Sequence, residues 1–443
     1  MLLEFKVKNF KSFCEEAVFT MMPAPKQKGL DYSICKEKYK GNSVRGLCSS
    51  VIYGPNAAGK TNIIQAMDVL RSVILRGNIK NADDDNQSNP AASNLELIPN
   101  NECDCAEPVS FYIDFTEQGM RFQYQLVLDL GEFLAESFER KILLEELRVN
   151  ENIVFSRNQA LYIDMSNIPS QYSAKSSQHE KTAIETIAES SLNPEELFLC
   201  NGFKLICSSA LYKVIADWFT AKFMVICHAD SLQLIKRFAD PQKKGIYIEK
   251  TVQKAANLFG IDANLIGYVN GDDDAEPKLV SIFKKKDGDA HIAVPAALFE
   301  SYGSIRFVNV FPLIIRAIMT GATLVVDEFD ASIHPMALMN ILNIFHNDEI
   351  NIHHAQLIFN THNPIFLNSN LLRRDEIKFA ERDGDSHQST IYALSDFGTA
   401  GENGVRKNED YLKNYFISRY GAIKDIDFTP IFEELIAKER EKK

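Results

Sequence analysis

The sequence predicts an α/β fold with a mostly parallel core sheet, an antiparallel β arm and a helical insertion. Three observations carry that expectation. A glycine-rich loop, "GPNAAGKT" (54–61), lies between a short β-branched run and a run of helical period. Two continuous apolar runs, "ATLVVDEF" (322–329) and "AQLIFNTHN" (355–363), read as strands of a parallel sheet covered on both faces. "VSFYIDF" (109–115) and "FQYQLVLDL" (122–130) read as the two strands of a hairpin.

"LLEFKVKNFKSF" (2–13) alternates apolar and polar residues and predicts a strand entering a turn. After the glycine-rich loop, Ile63, Ile64, Met67, Leu70, Val73 and Ile74 fall on one face of a helix. Residues 78–108, rich in Asn, Asp, Ser and Pro, predict a long loop. "SFERKILLEELRVN" and "IVFSR" extend the antiparallel arm. From about 165 to 270 the period turns helical, as in "HEKTAIETIAES", "ALYKVIADWFTAKF" and "IEKTVQKAANLFG". No heptad repeat is sustained there, which argues against a long coiled coil. "AEPKLVSIFKKKDGDAHIAV" returns to strands. "SIRFVNVFPLIIRAIMTG" is then a helix, with a kink expected at Pro312 and a stop at Gly321. The expected division is a first lobe over 1–164, a helical insertion over 165–270 and a second lobe over 271–443.

Composition narrows the functional classes. The chain has 443 residues, 45% hydrophobic and 24% charged, enough for two or three domains with a sizeable core. Its net charge of −12 argues against wholesale non-specific nucleic-acid binding, though a local basic groove stays open. Lys284, Lys285 and Lys286 form the clearest basic run and read as a solvated turn. The eight cysteines have no framework spacing, as expected for reduced thiols in a cytoplasmic protein. Cys103-Asp104-Cys105 lacks the partners of a closed zinc site. "MLLEFKVKNF" carries charges where a signal peptide is apolar, and no apolar run approaches membrane-spanning length. No membrane association is expected.

Chemistry concentrates in three strand ends. "GPNAAGKT" fits GxxxxGK[ST] between a predicted strand and a predicted helix. Gly54, Pro55, Asn56, Ala57, Ala58, Gly59, Lys60, Thr61 and Asn62 form the expected nucleotide-binding stretch. Its glycines let the backbone curl so that successive N–H groups face phosphate oxygens, and the helix N-terminus adds positive potential. Lys60 is the candidate partner of the β- and γ-phosphates, and Thr61 a candidate ligand of Mg²⁺. In "TLVVDEFD" (323–330), Asp327 ends an apolar strand at the sheet edge where it can reach the metal. Glu328 follows as the candidate base for an attacking water. His362, just past the strand in "IFNTHN", is the candidate γ-phosphate sensor. His353-His354 reads as a surface turn.

These motifs together resemble the ABC-type ATPases of the RecF, Rad50, SMC and OLD group. "KVKNFKSF" (6–13) is similar to their N-terminal strand and turn, "GPNAAGKT" to Walker A, "VVDEFDASIHP" (325–335) to Walker B and the D-loop, and "NTHNP" (360–364) to the H-loop. Within the group the chain resembles the AAA15 or AAA21 branch of bacterial phage-defence ATPases, through "LFLCNGF" (197–203) and "KNYFISRYGAIKDI" (413–426), like the ATPase half of the two-gene PARIS system. "ESYGSIR" (300–306) resembles the signature that one protomer closes over another's ATP, with Ser301 and Gly303 at its serine and glycine. Tyr302 replaces the usual small residue and Glu300 the leading leucine. A simple helix cap is the other reading of Ser301.

The resemblance implies ATP and Mg²⁺ as cofactors and ATP hydrolysis at sites shared between protomers. It implies a homo-oligomer built from ABC-type dimers, a DNA or phage-protein trigger, and a separate effector, a nuclease with TOPRIM type favoured. No TOPRIM constellation is expected in this chain, since the residues after His362 are too few for one. A RecF-like mediator that binds DNA directly, and a slowly hydrolysing scaffold, are the competing readings. No glutamine stands out as the Q-loop residue.

Overall fold

The computed structural model describes residues 1–441 apart from 26, 28, 81–94, 103–106, 134–137, 173–186, 191, 228–249, 262–264, 270–277, 285–290, 401–403, 408 and 425. The chain opens with β1 (Leu2–Lys8) and β2 (Ala17–Thr20), a small hairpin of β3 (Ile34–Tyr39) and β4 (Asn42–Leu47), then β5 (Ser49–Tyr53) and α1 (Lys60–Arg76). β6 (Val109–Glu117), β7 (Met120–Asp129), β8 (Lys141–Val149), β9 (Asn152–Arg157) and β10 (Leu161–Ile163) follow. Next come α2 (Ser209–Asp217), β11 (Phe223–Ile226), α3 (Lys250–Phe259), β12 (Leu265–Val269), β13 (Lys278–Lys284), β14 (His291–Pro295) and α4 (Ala296–Phe299). The last third holds α5 (Tyr302–Thr320), β15 (Thr323–Val326), α6 (Pro335–Phe345), β16 (Gln356–Asn360), β17 (Ile377–Arg382), β18 (Ser389–Ala393), α7 (Tyr411–Phe416) and α8 (Thr429–Glu441).

The core sheet runs β11-β15-β16-β5-β17-β18. Its first five strands are parallel and β18 is an antiparallel edge. Alternation along the strands sends two sets of side chains to two cores. Ile52, Val325, Ile358 and Ala380 face α1 and the arm. Val51, Tyr53, Leu324, Val326, Leu357 and Phe359 face α5 and α6. Each buried face explains why these strands read as unbroken apolar runs.

The arm is a seven-stranded antiparallel sheet, β10-β9-β8-β7-β6-β1-β2. Buried Gln356 stitches the two sheets together. Its amide donates to the Leu2 and Leu47 carbonyls at 3.0 and 2.9 Å, and its carbonyl accepts from Leu2 N–H and Thr323 Oγ1. α1 forms as its period predicts, with Ile63, Ile64, Met67, Leu70, Val73 and Ile74 all buried.

Of the expected helical insertion, much of the "HEKTAIETIAES" segment lies outside the described residues, as do Cys103 and Cys105, Lys285 and Lys286, and most of 78–108. What is described includes α2 and α3, two stretches of wide, π-type turns (Leu199–Cys207 and Trp218–Lys222), and β11. β11 pairs with β15 and so belongs to the core sheet. A four-residue strand after a helical run, "FMVI", gives too little period to be read from sequence. The described cysteines are free thiols.

α5 runs unbroken through Pro312 and stops at Gly321, whose φ of 67° supports the cap that ties its N–H to the Ala317 carbonyl. α5 has the length and apolarity of a membrane span, but half of its apolar stretch is buried in the protein, with Phe307, Val310, Leu313 and Ile314 in the second core. After β18 the chain returns beneath the glycine-rich loop. Tyr415 stacks on Phe379 at 5.9 Å and meets Tyr53, the residue before Gly54, at 5.9 Å.

Candidate nucleotide site

β5 delivers the loop and α1 receives it. Gly54 takes φ 151°, and a Cβ there would sit 2.2 Å from the Ala380 carbonyl oxygen on β17. The loop can therefore lie against the sheet only with glycine at this position. Ala57 is itself left-handed, at φ 62°, and the curl ends at Gly59.

Lys60 is buried and folds back over the loop, donating to the Gly54 and Pro55 carbonyls at 2.8 Å each. Burial pulls its pKa down to about 8, against the opposing pull of Asp327, Glu328 and Asp330. Thr61 Oγ1 donates to Asp327 Oδ1 at 3.1 Å, which joins the loop to the end of β15. Asn62 donates to Ser12 Oγ at 2.7 Å, which brings the turn after β1 beside the loop.

Asp327 is buried while Glu328 is exposed. Glu328 adopts a left-handed φ of 49°, a costly conformation for a non-glycine residue. Asn360, at the end of β16, clamps this pair: its amide donates to Asp327 Oδ1 and its carbonyl accepts the Glu328 N–H. Thr361 Oγ1 donates to Asp330 Oδ2 at 2.6 Å. His362 lies within electrostatic reach of Lys60, Glu328 and Asp330. Its pKa is lowered, first by partial burial and then by the charge of Lys60. The three strand ends thus converge on one edge of the sheet.

Ser301 and Gly303 are placed differently. Ser301 is the N-cap of α5: its Oγ accepts from Ser304 N–H at 3.1 Å and lies 2.9 Å from Ser304 Oγ. Gly303 is buried, and a Cβ there would meet the Ser332 carbonyl oxygen at 2.0 Å. Within one chain, then, the Ser301 end of α5 is keyed to the turn after Asp327 and Glu328, not to the loop holding Lys60. Gly303→Ala is expected to cost about 1–3 kcal/mol by overpacking. Ser301→Ala, which removes an exposed cap, is expected to cost about 1 kcal/mol. Paired thermal melts check the order, and equal costs would contradict the close approach at Gly303.

Two residues of this site were not expected from sequence. Asn360 is a polar residue buried at an apolar strand's end. Arg306 is a charged residue on the buried face of α5, donating to the Asp327 carbonyl at 3.3 Å and to the Glu328 carbonyl. In both cases the available signal is a polar side chain inside an apolar period.

The residues present suit Mg²⁺. Thr61 Oγ1 and Asp327 Oδ1 are adjacent oxygen donors at a helix N-terminus. Among the described residues no three His, Cys, Asp or Glu side chains converge as a metal cage. Two protein oxygens with water and phosphate completing the shell is the arrangement that magnesium favours.

Residues 49–188 and 216–368 match the family model described as AAA domain, putative AbiEii toxin, Type IV TA system (AAA_21). That match spans more than half of the chain. The chain belongs to the AAA_21 family. Its AAA domain agrees with the expected ATPase class. This AAA_21 chain is similar in structure to the SMC head domain from Thermotoga maritima, at 14% identity and a TM-score of 0.35, covering 88% of this chain and 98% of that one. It is similar also to the SmcHead bound to the C-winged helix domain of ScpA, at 10% identity and a TM-score of 0.36, covering 88% of this chain and 97% of that one. None of the curated proteins matches the AAA_21 chain.

Proposed function

We propose that this chain binds and hydrolyses Mg-ATP, and that nucleotide state sets its assembly with a neighbouring copy. The observation that carries the reading is the junction of Thr61, Asp327 and Asn360, which fixes the phosphate loop, the metal-binding carboxylate and the turn of Glu328 as one unit. Loop N–H groups and Lys60 take the polyphosphate. Thr61 and Asp327 would hold Mg²⁺, which neutralises phosphate charge. Glu328 accepts a proton from the attacking water, and His362 contacts the γ-phosphate.

Ser301 and Gly303 act on nucleotide held by a second protomer. Their separation from the Lys60 loop within one chain, and the exposure of Ser301, support this. So does the anion-binding character of a capped helix N-terminus. The chain serves in the cytoplasm as the sensor ATPase of an anti-phage system that controls a separate effector, a nuclease. The family description, which names a toxin of a TA system, supports a chain that works with a partner.

The test isolates a heterodimer by dual tags, with Lys60→Ala in one chain and Ser301→Arg in the other. Each variant alone is expected to be inactive. The heterodimer, with both lesions in one shared site, is expected to recover about half of wild-type turnover for a two-fold dimer. A Ser301→Arg protein that is active alone would return Ser301 to the role of helix cap.

A further inference from the structure

Glu328 is held from both sides of its own peptide. Its N–H donates to Asn360, and its carbonyl accepts from the Arg306 guanidinium, which also reaches the Asp327 carbonyl at 3.3 Å. Arg306 is 5% exposed, and its Nε has no hydrogen-bond partner among the described residues. A buried guanidinium with one N–H unsatisfied is costly in a purely structural role, where a neutral side chain would pack the same space. What the guanidinium fixes is the left-handed turn at Glu328, a conformation that a non-glycine residue keeps only when its surroundings impose it.

Arg306 also stands one helical turn after Gly303. The N-terminal turn of α5 therefore touches the acid-bearing turn at two points, Gly303 on Ser332 and Arg306 on Glu328. Any shift of this helix end pulls on the Glu328 carbonyl. We infer that Arg306 is a positioning residue that sets the Glu328 carboxylate of its own chain and links it to the signature end of α5. The inference rests on the proposed role of Glu328 in hydrolysis. It adds that the two sites of a dimer communicate inside each chain: the helix that contacts one ATP holds the base acting on the other.

Arg306→Met keeps the length of the side chain and removes its donors. ATP affinity is expected to stay within about twofold, because no phosphate contact is lost, while kcat falls at least tenfold. Arg306→Lys, which can still donate to one carbonyl, is expected to recover part of that loss. In a Glu328→Gln background, Arg306→Met is expected to cost no further activity, since both changes act through one group. An additive loss there, or a fall in affinity equal to the fall in kcat, would overturn the assignment.

Direction is read in isolated heterodimers. With Lys60→Ala and Arg306→Met on the same chain and a wild-type partner, both lesions fall in one site and about half of the activity remains. With the two changes on opposite chains, both sites are lost. The reverse pattern would make Arg306 a contact to the neighbour's ATP and sink the proposal. Should the Lys60→Ala and Ser301→Arg pair fail to recover, the shared-site reading falls. The Arg306 role is then decided by the kcat and affinity comparison and by the Glu328→Gln background.

Discussion

Glu328→Gln is expected to keep ATP binding and to slow turnover by roughly 10²–10⁴-fold, the range for a positioned general base. The amide keeps the shape of the side chain and loses its ability to take a proton. Its backbone grip is untouched, because Asn360 and Arg306 hold the peptide and not the carboxylate. The variant should therefore collect in the ATP-bound state. Light scattering with sizing should show it more associated in ATP than without. Asp327→Asn provides the contrast, since it removes the charge of the proposed metal ligand while its amide oxygen can still accept from Thr61. Weaker Mg²⁺-dependent binding is expected there. Wild-type turnover in Glu328→Gln would remove this residue from the chemistry.

Lys60→Ala is expected to abolish most ATP affinity, measured by isothermal titration. Without phosphate the ammonium is shared between two loop carbonyls, at 2.8 Å each, and it has already lost most of its water. Exchange of carbonyls for phosphate oxygens then gains charge pairing at little desolvation cost. The same burial gives a pH signature. The free-protein pKa is lowered to about 8, mainly by burial, and an anionic ligand raises it. Affinity in the wild type should therefore be flat below pH 8 and fall above it, by at most about tenfold per pH unit, as binding has to take up a proton. Lys60→Ala should lose that slope. A slope retained in the variant would place the titrating group elsewhere.

The glycine-rich loop, the acid pair and the histidine, which the structure brings to one edge of the sheet, could be picked out because each is a local word. Gly54 and Lys60 are specified by a tight turn, and Asp327, Glu328 and His362 by their place at the end of an apolar strand. The parallel core followed from the same apolar runs, since a strand buried on both faces carries no alternation to mislead. What stayed hidden is pairwise. Asn360 is an ordinary asparagine until β15 and β16 stand side by side, and Arg306 is an ordinary helical arginine until α5 packs on the turn at Glu328. β11 was hidden for another reason: four residues are too short for a period to declare itself. Gly303 could be read as part of a signature, but not as the residue that admits the Ser332 carbonyl.

The order of the core sheet bears on how this protein is made. β5, which leads into the glycine-rich loop, has β16 and β17 as its two neighbours. About 300 residues separate Tyr53 from Gln356. At roughly 5–20 residues per second, the ribosome needs on the order of 15–60 s to supply them. Through that interval the fully buried run "SSVIY" has neither partner strand, and its apolar face and unpaired amides stand open to other chains. The arm can pair its own strands meanwhile, since β6 to β10 are sequential hairpin neighbours. A half-made chain that has paired its arm would still carry this strand unpaired until β16 and β17 emerge. Expression near the low end of the growth temperature should raise the soluble yield of the full chain.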